Sequence, residues 1–223
     1  FPKMRSGGID AALFAVDVTL ARNNHLIYAL DARTGRERWH ACTSAPVRFA
    51  PVVADKRLFA ASDDGFLYCL STVDGRVLWK RRGGPNHELV MGNGFCVSRW
   101  PARGGPVVLG DTVFFGAGIW PAEGVYIYAL DVATGAVRWL NRDSGTLRMS
   151  QPHGDVAESG ISAQGYLAAD SDRVYVPTGR AGPAALKRKD GTLNWFSMHA
   201  HSYHGGSDLV LAGDIYYVGG QAG

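Results

Sequence analysis

The sequence contains no run of about 18 apolar residues, so it offers no transmembrane helix. It also lacks an excess of charge of either sign. The 23 Lys and Arg stand against 20 Asp and Glu, and a scattered net charge of +3 argues against a nucleic-acid partner. Cysteine is scarce. Cys42, Cys69 and Cys96 are far apart with no Cys-x-x-Cys spacing, which excludes the common zinc frameworks. Pairing of Cys42 with Cys96 is left open. No stretch carries sustained helical periodicity, no Gly-x-Gly-x-x-Gly opens a helix, and no nucleophile elbow is present. The chain begins at Phe1 with neither an initiator Met nor a signal-peptide pattern, so the expectation is that its true N-terminus is missing.

What is present is a repeat. Ala29-Leu30-Asp31-Ala32-Arg33-Thr34-Gly35-Arg36-Glu37-Arg38-Trp39 returns as Ala129-Leu130-Asp131-Val132-Ala133-Thr134-Gly135-Ala136-Val137-Arg138-Trp139. Looser copies run from Cys69 to Trp79, with Ser71 in place of Asp, and from Ala185 to Trp195, with Lys187 there. Each copy reads as a strand, a tight turn and a second strand that delivers a Trp. Gly35, Gly75, Gly135 and Gly191 stand where the turn calls for positive φ, a conformation that costs other residues more. Cys69 fills the place held by Ala29, Ala129 and Ala185, and so reads as a small buried residue.

Short apolar strands precede each copy. Val52-Val53, Leu58 to Ala61, Gly65 to Leu70 and the strand ending at Trp79 make one four-stranded unit, with turn material at Asp55-Lys56-Arg57 and Ser62-Asp63-Asp64-Gly65. The unit recurs up to Trp139 and, starting with a strand at Gly165 to Ala168, up to Trp195. A fifth unit begins at Leu209. The Trp residues are spaced by 40, 60 and 56 residues; the first spacing suits a bare blade of about 40–45 residues. The longer ones carry insertions at 82–100, 117–124 and 141–162. Repeated four-stranded sheets that each need a neighbour to bury their faces predict an all-β fold, a β-propeller of four-stranded antiparallel blades. The expected organisation is one partial propeller domain over 1–223, with blades at about 1–39, 45–79, 101–139, 160–195 and 203–223.

The Ala-Leu-Asp-x-x-Thr-Gly-x-x-x-Trp pattern, complete at 29–39 and 129–139, resembles the tryptophan-docking motif of the PQQ-like (pyrroloquinoline quinone) repeat. That repeat builds the propellers of quinoprotein dehydrogenases and of an outer-membrane assembly lipoprotein. The resemblance implies that Trp39, Trp79, Trp139 and Trp195 dock between blades. It implies a fragment of a seven- or eight-bladed ring, the alternative being a smaller ring closed by joining the first and last parts. It also implies a periplasmic or other extracytoplasmic setting. The leading functional expectation is a non-catalytic module that binds or scaffolds a protein partner or a small anionic ligand, with no cofactor. The alternative is part of an enzyme, a quinoprotein alcohol or sugar dehydrogenase using PQQ with calcium. Such an enzyme would need a calcium held by Glu, Asn and Asp, and often an adjacent cysteine pair. No Cys-Cys occurs, and Glu37, Glu88, Glu123 and Glu158 fall in turns or insertions.

Two constellations remain. His199, His201 and His204 are the densest set of metal-ligand types, read first as a solvated loop between blades and second as a zinc or copper site. Ser207, His204 and Asp208 are merely adjacent, which is no triad. Arg48, Arg103, Gln164 and His204 share one repeat position, just before the first strand of a blade. They are therefore expected to ring the mouth of the channel and to hold a weak anionic or carboxylate ligand, more tightly below about pH 6.5. Capping of local turns is the competing reading.

Overall fold

A computed structural model describes residues 11–15, 25–92, 94–151, 154–179, 181–197, 205–213 and 215–219. The first sheet holds β1 (Ala11–Ala15), β2 (Leu26–Asp31) and β3 (Glu37–Cys42) in antiparallel order. The second is the antiparallel meander β4 (Val52–Ala54), β5 (Arg57–Ala61), β6 (Phe66–Ser71) and β7 (Val77–Arg82), after which β8 (Leu89–Gly92) and β9 (Phe95–Ser98) form a separate hairpin. The third blade is β10 (Gly104–Leu109), β11 (Thr112–Ala117), β12 (Tyr126–Asp131) and β13 (Val137–Asn141), followed by the hairpin β14 (Leu147–Ser150) and β15 (Val156–Ser159). Next come β16 (Gly165–Tyr166) and a fourth blade of β17 (Ala168–Ala169), β18 (Arg173–Val176), β19 (Ala184–Lys187) and β20 (Leu193–Trp195). β21 (Asp208–Ala212) and β22 (Ile215–Gly219) make a final hairpin. The only helical element among the described residues is a 3-10 turn, Pro121–Glu123, inside the insertion at 117–124.

Burial follows from position within a blade. Middle strands such as β5 and β11 touch a neighbouring blade on both faces, which explains their continuous apolar runs rather than simple alternation. Leu58 and Ala60 turn to the first blade, with Ile27 and Ala29; Phe59 and Ala61 turn to the third, with Val113 and Phe115. The pattern steps onward, with Phe114 and Ile127 against Val174 and Leu186. The core is thus a series of slabs between successive blades. The outer strands β7 and β13 are largely exposed because they have a neighbour on one side only.

Trp39, Trp79 and Trp139 each close a slab by docking on the next blade's hairpin turn. The indole Nε1 of Trp39 donates to the Thr72 carbonyl at 3.0 Å, that of Trp79 to Val132 at 3.2 Å, and that of Trp139 to Arg188 at 2.8 Å. These three acceptors occupy the same motif position. Trp195 stacks instead on Tyr216 of the last hairpin, with ring centroids 5.9 Å apart.

The sequence read Gly165 to Ala168 as one strand, but the chain divides there. β16 leaves its own blade and pairs in parallel with β10, bringing Gly104 opposite Gly165 and Gly105 opposite Tyr166. The amides of Gly165 and Leu167 donate to the carbonyls of Arg103 and Gly105, both at 3.1 Å, while the Tyr166 amide turns the other way to Ser207 at 3.0 Å. Close approach explains the division: a side chain at Gly104 would strike the backbone of Gly116, and one at Gly165 the backbone of Ser207. Cys42, Cys69 and Cys96 are all free, so the pairing left open for Cys42 and Cys96 is not made.

Candidate functional site at the inner rim

The first strands of successive blades meet near Gly104 and Gly165, so the residues just before them lie along one rim. Two sequence candidates converge there on a third residue that sequence reasoning had treated as part of a turn. Asp63, with its side chain 1% exposed, accepts Arg48 Nε at 2.6 Å and Arg103 Nη2 at 3.0 Å on Oδ2, and Arg103 Nε at 3.0 Å on Oδ1. Its backbone also receives the Ser98 amide and donates to the Pro46 carbonyl, both at 2.8 Å. The two guanidinium groups are each about a quarter exposed. A buried carboxylate needs such partners, because an unpaired one is very costly.

Gln164 stands beside Arg103 in the parallel register, but its side chain takes other partners. Its Nε2 donates to Ser162 Oγ at 2.8 Å, and that hydroxyl donates to the Ile119 carbonyl at 2.6 Å. His204 lies outside the described residues, as do His199 and His201. The rim is completed by Phe49 and Tyr166, whose rings meet edge to face at 5.1 Å, while Tyr166 Oη accepts the Ala50 amide at 3.0 Å. The sequence holds no sign that Asp63, rather than Asp64, turns inward. Asp64 instead binds the Phe66 amide and the Tyr68 hydroxyl.

The three insertions adjoin one another along one edge. Arg99 bridges Glu88, at 2.6 Å, and Glu123, at 3.1 Å, and the partner bonds hold its guanidinium above the usual arginine range. Trp100 lies buried beneath it and donates to the Glu123 carbonyl at 2.6 Å. The 3-10 turn then packs against β15. This edge exposes Leu89, Val90, Met91, Trp120 and Val156; Met91 is 73% exposed and Trp120 64%.

No group of three His, Cys, Asp or Glu comes together to hold a metal among the described residues, and the sequence has no adjacent cysteine pair.

Successive antiparallel blades, the first three of which pass a tryptophan to the next blade's Gly turn, define a β-propeller of the PQQ-like repeat class. The family model described as outer membrane protein assembly factor BamB matches residues 3–219, and the chain belongs to that family. It is 26% identical over 219 residues to the outer membrane protein assembly factor BamB of Moranella endobia, covering 97% of this chain and 50% of that protein. The chain spans about half the length of the curated relative it matches. The crystal structure of BamB from Moraxella catarrhalis superposes with a TM-score of 0.55 at 19% identity, over 84% of this chain and 51% of that one. The quinohemoprotein alcohol dehydrogenase of Comamonas testosteroni superposes at 0.60 and 17% identity, over 79% of this chain and 32% of that one. At these identities the likeness to solved structures concerns the fold alone. Among the described residues no helix is long and apolar enough to cross a membrane.

Proposed function

We propose that the chain is part of a non-catalytic binding or scaffolding propeller, acting with a protein partner in outer-membrane assembly on the periplasmic side. The observation that carries this reading is the apolar edge built by the three insertions. Large exposed side chains clustered on a rigid scaffold mark protein contact sites, and family membership supports the assembly setting. Residues 1–223 then belong to a single propeller domain and need no cofactor. The test is a paired substitution, Met91→Ser with Trp120→Ala, in the protein expressed in its own cell envelope. Cross-linking to the outer-membrane assembly machinery is expected to be lost while the melting temperature holds; cross-linking equal to the parent would refute the proposal. Stoichiometric PQQ kept through dialysis with calcium would instead favour the dehydrogenase reading.

A second reading concerns the inner rim. Two guanidinium groups share one carboxylate, which leaves one positive charge there. That surplus supports a weak site for an anionic or carboxylate-bearing ligand, which competes with Asp63 for the arginines. Acetate titrations that Arg103→Ala leaves unchanged would end it.

A further inference from the structure

A cavity of about 340 Å³ opens between the third and fourth blades, beside the docked indole of Trp139. Its apolar surface is the half-buried Trp139 ring, behind which Phe114 and Ala129 are fully buried. On the third-blade side Arg138 grips Asp111 through two bonds of 2.7 Å and also reaches Asp131 at 2.8 Å. On the fourth-blade side two turns meet, tied by the Arg188 amide donating to the Asp172 carbonyl at 2.8 Å.

The fourth turn departs from the repeat. Where the complete motifs have Asp-x-x-Thr, it has Lys187-Arg188-Lys189-Asp190. In the other turns a carboxylate or hydroxyl at the first position ties down the loop. Asp131, for example, accepts the Ala133 and Thr134 amides, and Ser71 accepts that of Val73. Lys187 has no acceptor to do this, and Asp190 braces the turn by accepting the Thr192 amide and hydroxyl. The departure brings Arg188 and Lys189 to the cavity wall, where other turns have Thr72 and Val73 or Val132 and Ala133. Neither cation makes an ion pair among the described residues. Of the two carboxylates in the lining, Asp111 is held by Arg138, while Asp172 makes no ion pair among the described residues, so the two cations leave the wall with a net positive charge.

The geometry points to a binding site for a small organic anion, a carboxylate carried on an apolar ring. The ring lies on Trp139, and the carboxylate faces Arg188 and Lys189, with Ser171 on the same wall. Polar groups converging on a concavity beside an apolar ring mark a small-molecule site, here one whose walls are mostly polar, and this volume lies at the low end of the usual range. The guanidinium suits a carboxylate through its paired N–H donors. This site is independent of the apolar edge and of the inner rim.

Phenylacetate is the probe, followed by calorimetry on the whole chain, with acetate and benzyl alcohol as the half-ligands. Phenylacetate is expected to bind at least about tenfold more tightly than either half, and more weakly as salt is raised. Arg188→Ala with Lys189→Ala is expected to weaken it by a further factor of about ten. Because Trp139 bonds to the backbone carbonyl of residue 188, the variant keeps the dock, and its melting temperature reports this directly. Phenylacetate binding that matches benzyl alcohol, that the double variant leaves unchanged, or that is undetectable would each overturn the assignment. If the double variant melts early, Lys189→Gln alone, in an exposed position, carries the same comparison.

Discussion

The Trp139 ring lies directly over Gly191, so close that a Cβ on residue 191 would overlap the ring at Cε3. Gly191 has φ +73, so a side chain there meets two obstacles, an unfavourable backbone region and an occupied space. Gly191→Ala is expected to cost about 2 kcal/mol, as in other overpacked sites. Trp139→Ala removes the other half of the dock and is expected to cost about 3 kcal/mol, the low end for a large aromatic because the ring is half-buried. Trp39→Ala, at a more buried position, is expected to cost more than Trp139→Ala, and Trp195→Ala the least. Urea denaturation of the four variants checks the order; a Trp195 variant as damaged as the Trp39 variant would contradict it.

Asp63→Asn keeps the shape of the inner rim but removes the charge that holds Arg48 and Arg103. Breaking a buried pair by changing one partner costs about 3–5 kcal/mol, and the partly exposed guanidinium groups place this case at the lower end. Denaturant midpoints within error of the parent would show that the cluster adds no stability.

Acid is expected to loosen the repeat turns. The guanidinium of Arg38 on Asp31, and that of Arg138 on Asp131, hold both carboxyls well below their ordinary value of 3.8, helped by the Thr34 and Thr134 bonds. A carboxyl lowered on folding adds stability that is in place above its unfolded value and is lost as pH falls through the folded one. The melting temperature should therefore begin to fall below about pH 4. Asp31→Asn with Asp131→Asn should flatten that limb, and an identical acid limb in the double variant would assign it elsewhere.

Thiol titration should separate the cysteines. Cys42 and Cys96 are exposed and should react with an aromatic disulfide reagent in the native protein. Burial among apolar neighbours pushes the Cys69 thiol up to about 12, so it carries almost no thiolate at neutral pH. It should react only after denaturation. Three reactive thiols in the native state would contradict this.

The repeat made the blades legible because a strand pair ending in Trp at a fixed distance from Gly carries its own register. Asp31, Thr34 and Arg38 bond within one turn, so their arrangement is a local matter that the order of residues records. The rim is different in kind. Arg48, Asp63 and Arg103 are brought together from three segments, and only the docking of blades decides which carboxylate turns inward. The parallel partner of Gly104 was equally hidden, since Gly165-Tyr166-Leu167-Ala168 reads as one strand and nothing in the order of its residues marks a break. The departure Lys187-Arg188-Lys189 was visible, but the cavity beside it depends on Trp139 arriving from the preceding blade.

The divided strand at Gly165–Leu167 also bears on how the molecule opens. In a repeat array joined only through side chains, each unit can in principle fray alone, with stability shared between units and their nearest-neighbour contacts. Here three consecutive amides are donated alternately to the third blade and to Ser207 beyond the fourth. Releasing the fourth blade therefore means breaking main-chain bonds on both sides at once. Hydrogen exchange at Gly165, Tyr166 and Leu167 should then follow a single opening event shared with Phe114 and Val174, rather than the separate rates of neighbouring repeats.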